Sequence, residues 1–497
     1  MIGASLGPAA SQGPLRTERH DGDVLLPVRG EPTVSFSVSF AVGSQDDPPG
    51  KEGLAYLTGL MLAEGSTERH SYDEILAALY PLASDYRVRV DKERTTLTGR
   101  THRDNVDRYV PLLTDAYTKP AFDPRDFERL KSDAINDIEN TLRYASDEEL
   151  AKASLDAFVF AGTRYAHPPE GTVQGLRNVT LDDVREFYRR HFTRRNVTIG
   201  LAGGFDDALA ARMAATRDAL PPGDAVPAPP EIVPAPIERN EVLLLDKPGA
   251  DASISFGFPI HVARGERDFY ALAIACSWLG EHRQQVGRLF QVIREIRGLN
   301  YGNYAYIEAF PEGGERRMPP VNVPRRARLF EVWIRTLPNE QAHFAIRAAV
   351  REIERLVEHG LRREDFELTR AFLAKYALHY AETTARRLGY AMDDRFYGLD
   401  GEGHLARFRR MMRELTVDDV NAALERHLRG RRFKFAIVTG AAARLAAALA
   451  SGAPSPIEYA TEKPQHVLEE DREIASYRLP IAADAIRVQP VTEAFER

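Results

Sequence analysis

What this sequence lacks already excludes several classes of protein. It has one cysteine, Cys276, so no disulfide can form within the chain. We expect Cys276 to be a buried helix residue, because it ends the apolar run of residues 270–276. No stretch approaches the roughly 18 consecutive apolar residues of a membrane-spanning helix, so we expect no transmembrane segment. Arginines are scattered and the net charge is only −7, which argues against nucleic acid as a partner.

The beginning of the sequence carries no recognisable export signal. It has no positive charge before Arg16, and Gly, Ala, Ser and Pro take the place of an apolar core. As written, the sequence predicts a chain that is not exported. A wrongly chosen or trimmed start would look similar, so the compartment stays open, and the periplasm is the alternative if the N-terminus is truncated.

What is present is typical of a folded globular protein. The 497 residues are 43% hydrophobic and 28% charged, which excludes disorder as the expected state. A chain of this length has room for roughly three domains of ordinary size.

One pattern occurs twice along the chain. Residues 180–184 (TLDDV) match residues 416–420 (TVDDV), and the same offset aligns the strand-like residues 197–201 with 433–437. A second pair of matches, at Asp126 and Asp365, has nearly the same offset. The sequence therefore predicts two copies of one unit.

Each copy combines strands and helices. Each starts with a segment that alternates at period two, residues 34–40 in the first copy and 252–258 in the second. Helical patterns follow, and Ser71 with Glu74 suits a capping box. We therefore predict an α+β fold of two homologous halves, each a mixed β-sheet packed with helices.

Proline marks the boundary between the two halves. Residues 221–236 are rich in proline, which removes amide donors and fixes φ, so they cannot form helix or ladder. This predicts a first half over 20–220, a Pro-rich linker over 221–240 that joins the halves into a clamshell, and a second half over 241–452. Residues 453–497 are a C-terminal extension, which we expect to pack on the second half.

The first half contains the outline of a known motif. Residues 43–55, which end in Gly-Leu-Ala, lead into a helix that ends with Met61-Leu-Ala-Glu-Gly65. This resembles the pitrilysin/insulinase family of metallopeptidases, the inverted zincins, whose H-x-x-E-H motif occupies that helix. Two histidines at i and i+4 share one helix face and can both bind zinc, and the glutamate beside them can deprotonate a zinc-bound water.

The zinc-site residues of this motif are replaced. The two histidine positions fall on Tyr56 and Leu60, and the glutamate position falls on Gly59. The resemblance puts the family's third ligand, a glutamate, at Asp137, Ile138 or Glu139. Leucine and glycine offer no ligand, and the phenol of tyrosine has a pKa of about 10. We therefore expect no catalytic residue, no metal and no other cofactor in this chain.

A second segment matches the family more closely. Residues 288–301 (RLFQVIREIRGLNY) resemble the second-half segment in which an arginine and a tyrosine reach across to the active site in the other half. Those positions are Arg294 and Tyr301. The resemblance implies that they bind the peptide substrate near its scissile carbonyl, where such donors suit a developing oxyanion. The alternative is a solvated helix arginine and a strand-edge tyrosine.

The likeness covers roughly residues 20–450 and favours one function over two others. The leading hypothesis is a non-catalytic, substrate-binding subunit of a zinc metallopeptidase, paired as a heterodimer with a zinc-bearing subunit of the same family. The alternative is a peptide-binding or assembly scaffold with no part in proteolysis, which would not need oxyanion donors. A third possibility is an active peptidase with unrecognised ligands.

Overall fold

The computed structural model describes residues 22–223, 231–281, 285–310, 318–399, 401–459 and 461–497. The predictions for the N-terminal residues 1–21 and for the linker residues 224–230 lie outside the described residues. Within the described ranges, no helix is both long enough and apolar enough to cross a membrane.

Helices and strands are interspersed along the described residues. The helices are α1 Leu54–Ala63, α2 Tyr72–Leu79, α3 Val106–Thr118, α4 Pro124–Asn136, α5 Asp147–Val159, α6 Val173–Asn178, α7 Leu181–His191, α8 Asp207–Ala215, α9 Arg267–Leu279, α10 Ala342–His359, α11 Arg363–Tyr376, α12 Thr384–Phe396, α13 Gly403–Glu414, α14 Val417–Leu428, α15 Ala442–Ser451 and α16 Gln465–Ala475. The strands are β1 Val24–Pro27, β2 Thr33–Phe40, β3 Asp85–Val90, β4 Thr95–His102, β5 Val197–Gly203, β6 Glu241–Asp246, β7 Ala252–Ile260, β8 Asn303–Tyr306, β9 Arg328–Leu337, β10 Lys434–Thr439 and β11 Ile486–Pro490. Two π-helices, Asp137–Ala145 and Phe290–Glu295, complete the elements used below.

The strands form two mixed sheets with one shared order. The first sheet runs β1-β5-β2-β4-β3, and the second runs β11-β6-β10-β7-β9-β8. In each, the first strand of the half is parallel to the last (β1 to β5, β6 to β10), and the remaining neighbours within that half are antiparallel. Strand β11 adds a parallel edge to the second sheet. The predicted α+β fold, with helices packed on a mixed sheet in each half, is confirmed.

The TLDDV and TVDDV matches open equivalent helices. Thr180 Oγ1 accepts from the Asp183 backbone N–H at 3.2 Å, and the Asp183 carboxylate accepts from the Thr180 N–H at 2.9 Å. Thr416 and Asp419 repeat this capping box at the start of α14, at 3.2 and 2.8 Å. Each box satisfies two donors that a helix end would otherwise leave unpaired, which explains the repeated residues.

Each half contributes one helix that packs on the sheet of the other half, and we call these two helices exchanged. Helix α5 of the first half packs on β7, β10 and β9 of the second sheet, and α12 of the second half packs on β5, β2 and β1 of the first sheet. Each sheet is therefore covered on one face by its own helices and on the other by a helix of the opposite half. Because both faces are covered, β2 and β7 are buried along nearly their whole length.

Small residues allow α12 to approach the first sheet closely. A Cβ added at Gly200 on β5 would lie 2.8 Å from Met392 Sδ and 2.9 Å from Leu388 Cδ1, both on α12. Ser37 on β2 lies beside the same point, at 3.4 Å. Larger side chains here would push the exchanged helix away from the sheet.

Buried ion pairs also join the halves. Arg325, which precedes β9, donates to both oxygens of Asp91 in the β3–β4 turn, at 2.6 and 2.9 Å. The same guanidinium reaches Asp156 on α5 at 3.4 Å. Within the first half, the fully buried Lys92 also pairs with Asp156 at 3.1 Å, so that Arg325, Asp91, Asp156 and Lys92 form one cluster. These charges stabilise one arrangement of the halves, because separating them would leave buried carboxylates unpaired.

The structure corrects one expectation, extends a second and confirms a third. The alternating segments 34–40 and 252–258 lie in β2 and β7, but they do not start their halves, since β1 and β6 precede them. The C-terminal extension packs on the second half through α16 and β11, yet its last residues bind the first half. Cys276 is buried in α9, as predicted. The domain boundaries remain predictions.

Candidate functional site

Helix α1 is held in place by the loop before it. Its N-cap, Gly53, has a φ of +107°, a conformation that favours glycine. The Asp47 carboxylate accepts hydrogen bonds from the backbone N–H groups of Gly53 and Ala55, both at 2.7 Å. These bonds serve the unpaired donors of the first turn. Nearly all the side chains of α1 are apolar and most are buried, so the helix is a packed element of the first-half core.

The positions that correspond to the zinc-binding motif have become packing positions. Tyr56 and Leu60 are half-buried and pack against the apolar core of the first half. Gly59 is buried, and a Cβ added there would lie 2.6 Å from Val90 Cγ2 and 3.3 Å from Val88 Cγ2. Strand β3 thus occupies the space that the side chain of a catalytic glutamate would need.

The residues at the expected third-ligand position make other contacts within the first half. It falls at the start of the π-helix Asp137–Ala145, where Ile138 is fully buried in the first-half core. Glu139 Oε1 accepts from Arg177 Nη2 at 2.8 Å, and Asp137 Oδ1 accepts from Thr141 Oγ1 at 3.3 Å.

These residues do not fit a zinc ion. Leu60 and Gly59 have no donor atom, and one phenol cannot replace two imidazoles and a carboxylate. Across the described ranges, no group of three or more His, Cys, Asp and Glu side chains is placed to hold a metal ion. We therefore derive no chemistry through a metal in this chain.

Arg294 and Tyr301 lie together at the surface of the second half. The Arg294 guanidinium carbon is 5.4 Å from the centre of the Tyr301 ring and 4.6 Å from that of Phe290. Such stacking orients a guanidinium without using its N–H donors. Tyr301 is 74% exposed. In the described part of the chain, no residue hydrogen-bonds the Arg294 guanidinium, which is half-buried, or the Tyr301 hydroxyl.

The backbone that carries Arg294 is itself unusual. Arg294 lies in the π-helix Phe290–Glu295, a rare conformation that is frequently found at functional sites. The turn that follows contains Gly298, with a φ of +70°, and returns the chain toward β8. This turn brings the ring of Tyr301 back over Arg294.

The structure joins Arg294 and Tyr301 to each other but not to α1. Among the described residues, neither of them makes a hydrogen bond, an ion pair or a ring contact with the motif helix. The resemblance implied a pair that reaches an active site across two halves. Within one chain these contacts are not made.

A polar cleft that no sequence motif marked lies beside the N-terminus of α1. It has a volume of about 390 Å³, and its lining includes Asp47, Glu52, Arg164, His167 and Glu231. Burial lowers the pKa of His167 to about 4, so its ring is neutral near pH 7. Its Nδ1 donates to the Pro168 carbonyl at 2.9 Å, which leaves Nε2 as an acceptor. A lone loop histidine in the sequence gives no sign of this burial.

Comparison with known families agrees with the motif positions. The family described as Insulinase (Peptidase family M16) matches residues 24–172, and the family described as Peptidase M16 inactive domain matches residues 178–373.

Individual relatives are distant but extend over most of the chain. An uncharacterized zinc protease of Streptomyces coelicolor is 25% identical over 349 residues, which are 68% of this chain and 70% of that protein. A non-peptidase homolog of Helicobacter pylori is 21% identical over 446 residues, which are 88% of this chain and 97% of that protein.

A solved structure has the same fold. The crystal structure of a peptidase M16 inactive domain from Pseudomonas fluorescens matches with a TM-score of 0.73 at 22% identity. The match covers 86% of this chain and 97% of that one. Together with the replaced residues of α1, these findings lead to one conclusion: the chain belongs to the insulinase family, peptidase family M16, as a non-catalytic member.

Proposed function

We propose that this chain is the substrate-binding, non-catalytic subunit of a zinc metallopeptidase that hydrolyses peptides or proteins. A partner subunit of the same family would carry the H-x-x-E-H motif and the zinc ion, which activates water when bound. This chain would hold no cofactor and would contribute Arg294 and Tyr301. We also infer that its two halves arose by internal duplication, which the shared strand order and the repeated capping boxes support.

The observation that carries the proposal is the Arg294–Tyr301 pair, whose tyrosine is exposed and whose donors have no hydrogen-bond partner among the described residues. Polar groups buried in a fold are usually hydrogen-bonded within the protein. Here a half-buried guanidinium lies 5.4 Å from the centre of an exposed phenol ring, on a π-helix and the turn after it. Five guanidinium N–H donors and one O–H suit a peptide carbonyl and the charge that develops on it during hydrolysis.

The missing contact between this pair and α1 supports a partner. If the donors served a site within this chain, they would face a helix that Tyr56, Gly59 and Leu60 have made part of the core. An intact zinc helix on another subunit gives the donors a role. The exposed Tyr301 ring and the exposed Val286 beside the same π-helix offer apolar surface that such a subunit or its substrate would cover.

The test is turnover by a reconstituted complex. The chain is coexpressed with the H-x-x-E-H subunit encoded by the same organism, and peptide hydrolysis is measured for Arg294→Ala and Tyr301→Phe. Because such donors act mainly on the transition state, each substitution should lower kcat by about 100- to 1,000-fold, or roughly 2.7 to 4 kcal/mol. Pull-down of the partner and the melting temperature should not change.

Matched controls are available elsewhere on the surface. Arg355 on α10 and Tyr80 after α2 are exposed, so Arg355→Ala and Tyr80→Phe should leave kcat within twofold, as ordinary surface changes do. If Arg294→Ala and Tyr301→Phe behave like these controls, the proposal is wrong, and the chain is a peptide-binding or assembly scaffold.

A further inference from the structure

The C-terminal extension is hydrogen-bonded to the segment that carries Arg294. Arg297 lies three residues after Arg294, and its side chain is fully buried. Its Nε donates to Asp471 Oδ1 at 2.7 Å, and its Nη2 donates to Glu470 Oε2 at 2.8 Å, both on α16. Its Nη1 donates to the Val292 carbonyl at 2.8 Å. One guanidinium therefore joins the π-helix Phe290–Glu295 to the extension with charged hydrogen bonds, the strongest kind.

Other contacts make this attachment stiff. Lys463 of the extension donates to the Ile296 carbonyl at 2.8 Å, directly behind the same turn. Tyr459 donates its hydroxyl to Asp471 Oδ2 at 2.8 Å, so both oxygens of that carboxylate are held. Arg351 on α10 donates to Glu470 Oε1 at 3.1 Å. The acids of α16 are thus fixed to the core of the second half before they hold Arg297.

The far end of the extension is bound to the first half. Arg143, which is 5% exposed, donates to the Ala494 carbonyl and to Glu496 Oε2, both at 2.8 Å. Backbone N–H groups at the start of α6 donate to the carbonyls of Phe495 and Glu496 at 3.0 and 2.9 Å. Three consecutive carbonyls of the tail are therefore satisfied by the first half, which a loosely packed end would not achieve.

This tail docks beside the expected third-ligand position. Arg143 belongs to the π-helix Asp137–Ala145, whose first residues include that position. Arg177 bridges the two, since it donates to Glu139 Oε1 at 2.8 Å and to Glu496 Oε1 at 3.4 Å. The extension therefore contacts both segments that the resemblance to the family singled out, one in each half.

From these contacts we infer that residues 453–497 form a brace that positions the Arg294–Tyr301 pair relative to the first half, with Arg297 as the positioning residue. The inference rests on the proposed function for what the pair does, but the brace itself is a property of this chain. Arg297 does not face the substrate. It fixes the backbone from which Arg294 and Tyr301 project, and a site works only if its groups are held to within about 0.5 Å.

The experiment measures local order and turnover in the same full-length variants. Asp471→Ala removes one of the two carboxylates that bind Arg297, Asp471→Asn keeps its shape and one acceptor, and Glu469→Gln changes an exposed neighbour on α16. Hydrogen–deuterium exchange over residues 288–301 should become at least about tenfold faster in Asp471→Ala, intermediate in Asp471→Asn and unchanged in Glu469→Gln. In the reconstituted complex, kcat should fall in the same order while KM changes less.

The other end is tested with Glu496→Ala. Exchange should rise modestly in residues 137–145 and 173–178, and kcat should fall, because the carboxylate contacts with Arg143 and Arg177 are lost while the backbone contacts of the tail remain. Unchanged exchange in both segments would contradict the attachment of the tail to the first half.

Two outcomes would overturn the inference. One is unchanged exchange over 288–301 in Asp471→Ala. The other is faster exchange there with unchanged kcat, in a complex whose kcat Arg294→Ala does lower. Both differ from failure of the proposed function, which is an unaltered kcat in Arg294→Ala whatever the Asp471 variants do. Melting temperatures report whether any variant is unfolded, and in that case Arg297→Lys replaces it.

Discussion

The motif helix of the first half and the Arg294 segment of the second half have opposite surroundings. Helix α1 is packed on nearly all sides, and Gly59 lies against the valines of β3 with no space for a longer side chain. The Arg294–Tyr301 pair faces outward, with Tyr301 74% exposed and its donors unsatisfied within the described residues.

This difference shows what each segment has to preserve. A helix without the motif's zinc ligands is still needed by the core, so apolar residues and glycine can stand at those positions and contribute packing. A surface arginine stacked on a tyrosine adds little to the core. A role outside the chain explains its arrangement better than a role in the fold.

The largest expected effect concerns the junction that fixes the two halves. Arg325→Ala would leave Asp91, which is buried, without the guanidinium that holds the pKa of its carboxyl below the usual range against burial. Removing one partner of such a pair costs about 3 to 5 kcal/mol. Urea denaturation at pH 7 should show this loss of unfolding free energy.

An arginine in an exposed ion pair provides a control for Arg325→Ala. Arg87 pairs with Asp85 at 2.8 Å, but both side chains are largely exposed, so Arg87→Ala should change stability little. Equal effects of the two substitutions would mean that these buried charges do not fix the two halves relative to each other.

A pH-dependent effect should follow where α5 of the first half covers the second sheet. Glu331 on β9 is buried near Lys152, and burial raises its pKa to about 7. Its folded pKa is higher than its unfolded one, so its contribution to stability is complete below about pH 4.5 and is lost as the pH rises to about 7. Glu331→Gln mimics the protonated acid. Relative to the parent, this variant should gain on the order of 3 kcal/mol between pH 4.5 and 8.

Urea titrations at several pH values check this expectation. Glu340 is an exposed control whose pKa shifts in the opposite direction to that of Glu331, because hydrogen bonds from its own backbone and from Arg444 lower it. Glu340→Gln should therefore lose stability relative to the parent as the pH rises through the acid range. A Glu331→Gln difference that does not vary with pH would mean that this carboxyl is not buried beneath α5.

The smallest expected effect tests the closure of the first-half site. Gly59→Ala gains about 1 kcal/mol of helix propensity, but its Cβ would lie 2.6 Å from Val90 Cγ2, and overpacking costs about 1 to 3 kcal/mol. We expect a net loss of about 1 kcal/mol. In a double-mutant cycle, Val90→Ala should relieve most of it. A stabilising Gly59→Ala would show that space for a side chain remains beside α1. The packing of α1 would then differ less from the open surroundings of the Arg294 segment.

Much of the fold follows from local sequence, because local interactions produce it. The TLDDV and TVDDV match predicted two copies of one unit, and in the structure both copies open equivalent helices. The alternation in 34–40 and 252–258 predicted strands, and these are β2 and β7. The short edge strand β1 escaped notice, since four residues that end in proline carry little periodic signal. Its partner choice depends on β5, far along the chain.

The exchange of α5 and α12 could not be predicted. Periodicity shows that a helix has an apolar face but not which half of the chain covers it. The alternation of residues 34–40 likewise does not show that a helix covers the face of β2 that carries its serines.

The candidate site was predictable by residue type but not by arrangement. The resemblance marked Arg294 and Tyr301, yet their stacking depends on a π-helix and a glycine turn that no pattern in the sequence predicts. Arg297, Arg143 and Glu496 were missed because their partners are far away in the sequence.

The most direct test of the contrast between the halves is the zinc content and peptidase activity of the purified chain alone. Elemental analysis after dialysis should find far less than one zinc per chain, and no peptide should be cleaved, because Tyr56, Gly59 and Leu60 offer no site. One equivalent of zinc per chain, together with hydrolysis that a chelator abolishes and added zinc restores, would contradict the account.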